Sequence, residues 1–264
     1  MDDHTSILES LCWNHIDLTI MAVNHIRTIE SYRAEVVRPS LRALDEKLDD
    51  YSRRNDPEAI FSHDHVADLR GSTIEGFLLT TQAMWERGLR GMLINAAAKQ
   101  KANDKTINAI KSARWAAKEK DGLQAHFATF FGASLEWFGC HDDLNILQEM
   151  GNALRHGDGR AAVRLHELCP SLWVHWLQPG TVITLSYGDF RVPDNAPRHP
   201  SFNQITWTNA ILEQMMLAVL WFWQDIEFVR CNSFNRKADA IIRMLEQMKS
   251  DRSNRTLQRL WTPG

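Results

Sequence analysis

Apolar residues recur at three- and four-residue spacing along almost the whole chain, and this period limits the fold more than any other feature of the sequence. Leu8, Leu11, His15, Leu18, Ala22, Ile26 and Ile29 mark one face of a long amphipathic helix. Pro39 predicts an interruption, because proline disfavours helix in the residue before it, here Arg38. Leu41, Leu44, Leu48 and Tyr51 resume the period as far as the polar break at Ser52–Pro57, which reads as a loop. From about Asp64 a second long helix turns Val66, Leu69, Thr73, Phe77, Met84, Trp85, Leu89 and Met92 inward. Glu86 and Arg90 stand four apart on it, in the order that favours pairing. A third helical region spans about 105–137 with a break at Asp121-Gly122. A fourth follows Asp142, read as its N-cap, and buries Leu144, Leu147, Gly151 and Leu154.

The pattern changes after residue 168. Leu172–Trp176 and Thr181–Leu185 flank Pro179-Gly180 and are rich in β-branched and aromatic residues, which reads as a small hairpin over 172–186 or as an ordered loop. Residues 188–204 form a long connection rich in Gly, Pro, Asp and Asn, and helices return at about 205–231 and 235–250. No βαβ alternation and no internal repeat occur. The economical architecture is all-α: one helical bundle over residues 1–264 with a small β-hairpin insertion.

A chain of 264 residues with 44% hydrophobic content can bury a core without covalent staples. Cys12, Cys140, Cys169 and Cys231 lie far apart with no CxxC pair, which suggests neither a zinc knuckle nor a disulfide framework and fits a reducing cytoplasm. The start, MDDHTSILES, lacks the charged and apolar regions of an export signal. The most apolar run, Ile211–Trp223, carries Glu213 and Gln214 and is too short to span a bilayer, so it reads as a buried core helix and no membrane partner is implied.

Charge is unevenly spread around a net of −3. Lys99, Lys101, Lys105, Lys111, Arg114, Lys118 and Lys120 outnumber Asp104 and Glu119, so this segment is either a solvated helical face or a contact for phosphates, with Lys111 and Arg114 as substrate-binding candidates. Arg236, Lys237, Arg243, Lys249, Arg252, Arg255 and Arg259 near the C-terminus present the same two readings. Most of the ten tryptophans read as core, with base stacking or a dimer interface as the alternative for some.

The stretch MGNALRHGDGRAAVRLHEL, residues 150–168, gathers the polar residues of most chemical interest. Gln148, Glu149, Asn152, Arg155 and His156 share a helical stripe opposite Leu144, Leu147, Gly151 and Leu154. One reading is purely structural: Arg155 and His156 complement the helix dipole, Gly157 ends the helix, and Asp158 caps the next one. The other is chemical. A neutral histidine can take a proton from a ribose 2′-hydroxyl while an arginine stabilises charge developing on phosphate, and RNA carries its own nucleophile, so no cofactor or metal is needed. The dipeptides His63-Asp64 and His141-Asp142 raise a third reading, a metal-dependent phosphohydrolase completed by a distant ligand such as His15 or His25. No P-loop, dinucleotide-binding glycine pattern, GxSxG or HExxH is present.

Asn152-Ala153-Leu154-Arg155-His156-Gly157 at a helix end, below an upstream helix bearing Trp85-Glu86-Arg87-Gly88-Leu89-Arg90, resembles the HEPN superfamily of helical bundles over about residues 62–168. Those proteins commonly carry an arginine, a polar residue beside it and a histidine a few positions downstream. Many are metal-independent endoribonucleases of prokaryotic toxin–antitoxin or antiphage systems, with the active site where two such helices meet in a dimer. The resemblance implies a HEPN-like bundle acting on RNA as a homodimer or larger oligomer, with His156 as acid or base, Arg155 as phosphate stabiliser and Asn152 orienting. It also implies an operon-encoded protein partner. One departure stands out: Gly151 occupies the usual arginine position. The charge must then come from Arg155, about 100° around the helix from His156, or from Arg87, Arg90 or a second subunit. Otherwise the chain is a non-catalytic interaction subunit.

Overall fold

The computed structural model describes residues 3–13, 20–54, 56–115 and 121–263. His15, Leu18, Lys118, Glu119 and Lys120 lie outside the described residues. The protein is mostly helical with one two-stranded antiparallel hairpin among those described.

Helix α1 (Asp3–Ser10) and helix α2 (Ile20–Ser31) do not form the single helix that the Leu8–Ile29 period predicts. The chain leaves helical geometry at Leu11. Trp13 then enters the interior: its backbone N–H donates to Ser233 Oγ at 2.8 Å, its indole to the Phe131 carbonyl at 3.0 Å, and its ring lies 4.9 Å from that of Phe131. Tertiary hydrogen bonds available to the tryptophan outweigh continuation of the local period.

At Pro39 the departure is the reverse. Helix α2 passes through a π-helical stretch, Tyr32–Val37, directly into α3 (Arg38–Ser52), with Pro39 in the first turn. The wider turns before Pro39 absorb the change in hydrogen-bond register that its missing N–H imposes. Helix α4 (Pro57–Lys99) runs for 43 residues, or about 64 Å at 1.5 Å per residue. It begins seven residues before Asp64, because the Asp56 side chain accepts the Ala59 N–H at 2.9 Å and Pro57 opens the first turn. His63-Asp64 is therefore inside a helix.

Helix α5 (Asp104–Ser112) is capped by Asn103, and α6 (Leu123–Phe131) ends at Gly132, whose φ is 63°. Helix α7 (His141–His156) has Cys140, not Asp142, at its N-cap; Asp142 and Asp143 occupy the first turn, where negative charge suits the helix dipole. Helix α8 (Arg160–Leu168) follows after Gly157-Asp158-Gly159.

The hairpin is displaced from the predicted 172–186. Strand β1 (Val182–Leu185) pairs with β2 (Gly188–Arg191), Val182 opposite Arg191 and Leu185 opposite Gly188. Leu172–Trp176 is not a strand, because Pro170–Trp173 makes a 3-10 turn that buries Leu172 and Trp173 and lets the Trp173 indole donate to the Ser201 carbonyl at 2.8 Å. A partner strand thus comes from the segment read as plain connection, across a turn closed by Gly188 at φ 133°.

Helix α9 (Asn209–Asn232) is buried on nearly every side, as Ile211–Trp223 predicts, and packs against α2, α4, α7 and α10 (Asp239–Ser253). Phe222 meets Trp85, Phe127 and Phe138 at ring separations of 6.2, 6.4 and 5.5 Å. The helices of 62–168 therefore share their core with α9 and α2. Where α2, α4 and α9 meet, a Cβ on Gly88 would lie 2.8 Å from both His25 Cε1 and Trp223 Cζ2, so only glycine fits. His25 stacks on Trp223 at 4.2 Å, and burial holds its pKa below the usual histidine range. No described helix is long and apolar enough to cross a membrane.

Candidate functional site

The last two turns of α7 lie along the middle of α4, and the closeness of that packing determines what the polar residues can do. Gly151 is buried; a Cβ there would come within 3.0 Å of Gln82 Cγ and 3.1 Å of its Cδ and Oε1. The position where the HEPN pattern has arginine is thus closed by a glutamine from another helix. Lacking a side chain at 151, α7 lets Gln82, fully buried, reach across the seam.

From Gln82 a continuous polar network extends in both directions. Gln82 Nε2 donates to Gln148 Oε1 at 3.0 Å and to Glu86 Oε2 at 2.6 Å, and Gln148 Nε2 donates to Glu86 Oε2 at 3.2 Å. Arg155 donates through Nη2 to Gln82 Oε1 and through Nη1 to Asn152 Oδ1 at 3.2 Å. The predicted Glu86–Arg90 pair forms. Gln148, read from the sequence as part of a polar stripe, is interior, because α4 supplies a matching amide from Gln82 and a carboxylate from Glu86.

Arg155 is exposed yet held at two points, while the side chain of the adjacent His156 is exposed and makes no hydrogen bond among the described residues. Helix α7 ends on the Gly157 N–H donating to the Ala153 carbonyl at 2.8 Å, with Gly157 at φ 62°, as expected for its glycine. Asp158 does not cap α8. Gly159 stands at the N-cap, and the Asp158 carboxylate accepts from Ser201 Oγ at 2.9 Å and the Phe202 N–H at 2.6 Å. It thereby ties the long 188–204 connection to the end of α7.

The four substrate-binding candidates divide. Arg90 Nη1 donates to the carbonyls of Ile110, Lys111 and Ala113 at 2.6, 3.0 and 3.0 Å, satisfying groups at the C-terminal end of α5. It positions α5 and has little left for a phosphate. Arg87 is exposed, with Nε on the Ala83 carbonyl of its own helix at 3.1 Å. Lys111 and Arg114 are exposed, Lys111 Nζ lying 3.4 Å from Asn108 Oδ1. Gln82 and Arg90 are eight residues apart on α4, so the basic end of α5 stands about 12 Å along that helix from the Arg155 contact. Network and basic segment lie on one side of α4.

Among the described residues the histidine–aspartate pairs find no completing ligands; His15 lies outside them. His63 Nδ1 is 3.7 Å from Asp64 Oδ1, and His141 Nδ1 is 3.4 Å from Asp142 Oδ1. Among the described residues no three of His, Cys, Asp and Glu are placed to hold a metal ion. His25 is committed to Trp223.

Part of the C-terminal basic run has a role that the sequence reading missed. Arg252 and Arg255 place Nη1 2.7 and 2.9 Å from Asp225 Oδ1, and Arg259 reaches Asp143 through two bonds of 3.0 and 2.6 Å. Asp143 and Asp225 are almost completely buried. Burial pushes the Asp143 pKa up, opposed by Arg259 and by Gln214, whose Nε2 donates to it at 3.0 Å. The available signal was the acids themselves: carboxylates set in apolar helical runs need a cationic partner.

No protein family, curated protein or solved structure matches the chain.

Proposed function

We propose that this protein acts on RNA as a metal-independent endoribonuclease of HEPN-like type, in the cytoplasm and as a homodimer or larger assembly. One observation carries the reading: Arg155, clamped by Gln82 and Asn152, stands next to an exposed His156 with no competing hydrogen bond. His156 takes the proton of a ribose 2′-hydroxyl, whose oxygen attacks the adjacent phosphorus. Arg155 meets the charge that builds on the non-bridging oxygens, and the 5′-oxygen leaves with a proton from solvent, giving a 2′,3′-cyclic phosphate. Asn152 holds Arg155 in place, so it acts as a positioning residue. Arg87, Lys111 and Arg114 supply exposed charge for neighbouring phosphates.

A second reading, a non-catalytic module that binds a partner protein, is favoured by Gln82, which fills the usual arginine position and draws Arg155 into a structural network. The two separate in a cleavage assay on the assembled oligomer, with and without the products of neighbouring genes. RNA cleavage that falls by about 100-fold or more in His156→Ala and Arg155→Ala supports the nuclease. Cleavage unchanged in His156→Ala, or no cleavage alongside a stable complex with a partner, rules it out.

A further inference from the structure

Beyond the end of α7 the chain forms a second feature that the proposed chemistry does not use. A cleft of about 570 Å³ opens between α8 and the 197–204 connection, lined among others by Asp158, Val163, Trp176, Pro197, His199 and Gln204. That volume is in the range of small-molecule sites and holds one nucleotide. Its walls are fixed. His166 packs perpendicular to Trp176 and Trp173, at ring separations of 4.9 and 5.2 Å, and to His199 at 5.7 Å. The Trp176 backbone N–H donates to the Trp173 carbonyl at 3.0 Å, and Asp158 holds the opposite wall through Ser201 and Phe202. An apolar slot with a braced indole and a polar rim suits a flat aromatic ring.

Two further observations select the occupant. Asp158 and Gly159, which line the cleft, follow His156 by two and three residues along the chain, just past the end of α7. Two exposed cations are chain neighbours of residues that line it: Arg160 follows Gly159, and Arg198 lies between Pro197 and His199. Positive charge around an aromatic slot complements a phosphodiester on either side of a base. Resting on the RNA reading above, we infer that this cleft is a base-binding subsite. It takes one unpaired nucleotide of single-stranded RNA against Trp176 and sets the neighbouring phosphodiester at His156.

The test separates binding from cleavage by using a 2′-O-methyl oligoribonucleotide, which lacks the attacking hydroxyl, in a fluorescence-anisotropy titration of the full-length oligomer. Stacking on Trp176 predicts that Trp176→Ala weakens binding by about 5- to 150-fold, while Trp176→Phe stays within about threefold of the unmodified protein. Val163→Phe, which fills the slot and keeps the indole, weakens binding similarly, so an effect of Trp176→Ala through misfolding is distinguished. Equal binding by Trp176→Ala, or no binding by the unmodified protein, overturns the subsite. Trp176-dependent binding with no RNA cleavage upholds the subsite and defeats the nuclease mechanism alone.

Discussion

Replacing Arg259 with methionine tests how the tail beyond α10 is held to the body of the protein. In the native state Arg259 gives Asp143 two hydrogen bonds of 3.0 and 2.6 Å, Gln214 gives a third of 3.0 Å, and the Leu260 N–H donates back to Gln214 Oε1 at 3.0 Å. The Asp143 side chain is 2% exposed and that of Arg259 27%. An exposed pair is worth about 0–1 kcal/mol, whereas removing one partner of a buried pair costs about 3–5 kcal/mol, because it strands a charge. Partial exposure of Arg259 places Arg259→Met at the lower end, about 3 kcal/mol, which lowers the melting temperature by about 6–12 °C in a chain of this size.

The pH dependence carries the sharper test. Burial already raises the Asp143 pKa, and Arg259 pulls against that rise; without the arginine the carboxyl moves higher still. A group whose folded pKa exceeds its unfolded value contributes full stability below the unfolded pKa and loses it as pH rises through the folded one. The deficit of Arg259→Met is therefore largest at the higher pH and shrinks as pH falls and Asp143 takes up a proton. Adding Asp143→Asn recovers more than half of the loss at the higher pH. Thermal unfolding followed by circular dichroism measures all three. A loss under about 1 kcal/mol, or a deficit that does not change with pH, refutes the account of Asp143 as a buried charge held by Arg259.

Placing an arginine at position 151 is expected to disrupt rather than complete the candidate site: Gly151→Arg displaces Gln82, costs about 1–3 kcal/mol by overpacking and, on the proposed nuclease reading, lowers rather than raises RNA cleavage, which urea unfolding and a gel assay check. His25 has a folded pKa depressed by burial, so the stability it contributes is present above the unfolded pKa of about 6.5 and falls away as pH drops below it. His25→Phe, which keeps a ring against Trp223, flattens that slope in urea midpoints measured across the interval; an unchanged slope shows that other groups carry it.

How much was legible in the sequence varies with how local the cause is. Helix α9 could be read from Ile211–Trp223, since only an interior position accommodates so continuous an apolar run without a membrane. Gly157 as the end of α7 was legible for the same reason, a positive φ being a property of one residue and its neighbours. The early start of α4 was missed although Asp56-Pro57 is a local signal, because an apolar period registers the buried face and not the cap. Within the candidate site, the presence of Arg155, His156 and Asn152 at one helix end could be read directly.

Other features came from distant partners. The sequence by itself determined a mostly helical chain with a polar cluster at 152–156, because periodicity and caps act over a few residues, whereas the hairpin expected over 172–186 forms at 182–191. Tertiary structure decided that Trp13 ends a helix to reach Phe131 and Ser233, and that Asp143 and Asp225 draw in arginines more than a hundred and about thirty residues away. It also decided that Gly151 is vacant so that Gln82 can enter. Whether a glycine is a missing arginine or a place kept clear depends on which atoms of another helix come within 3.0 Å of it, and residue spacing along one helix carries no information about that distance.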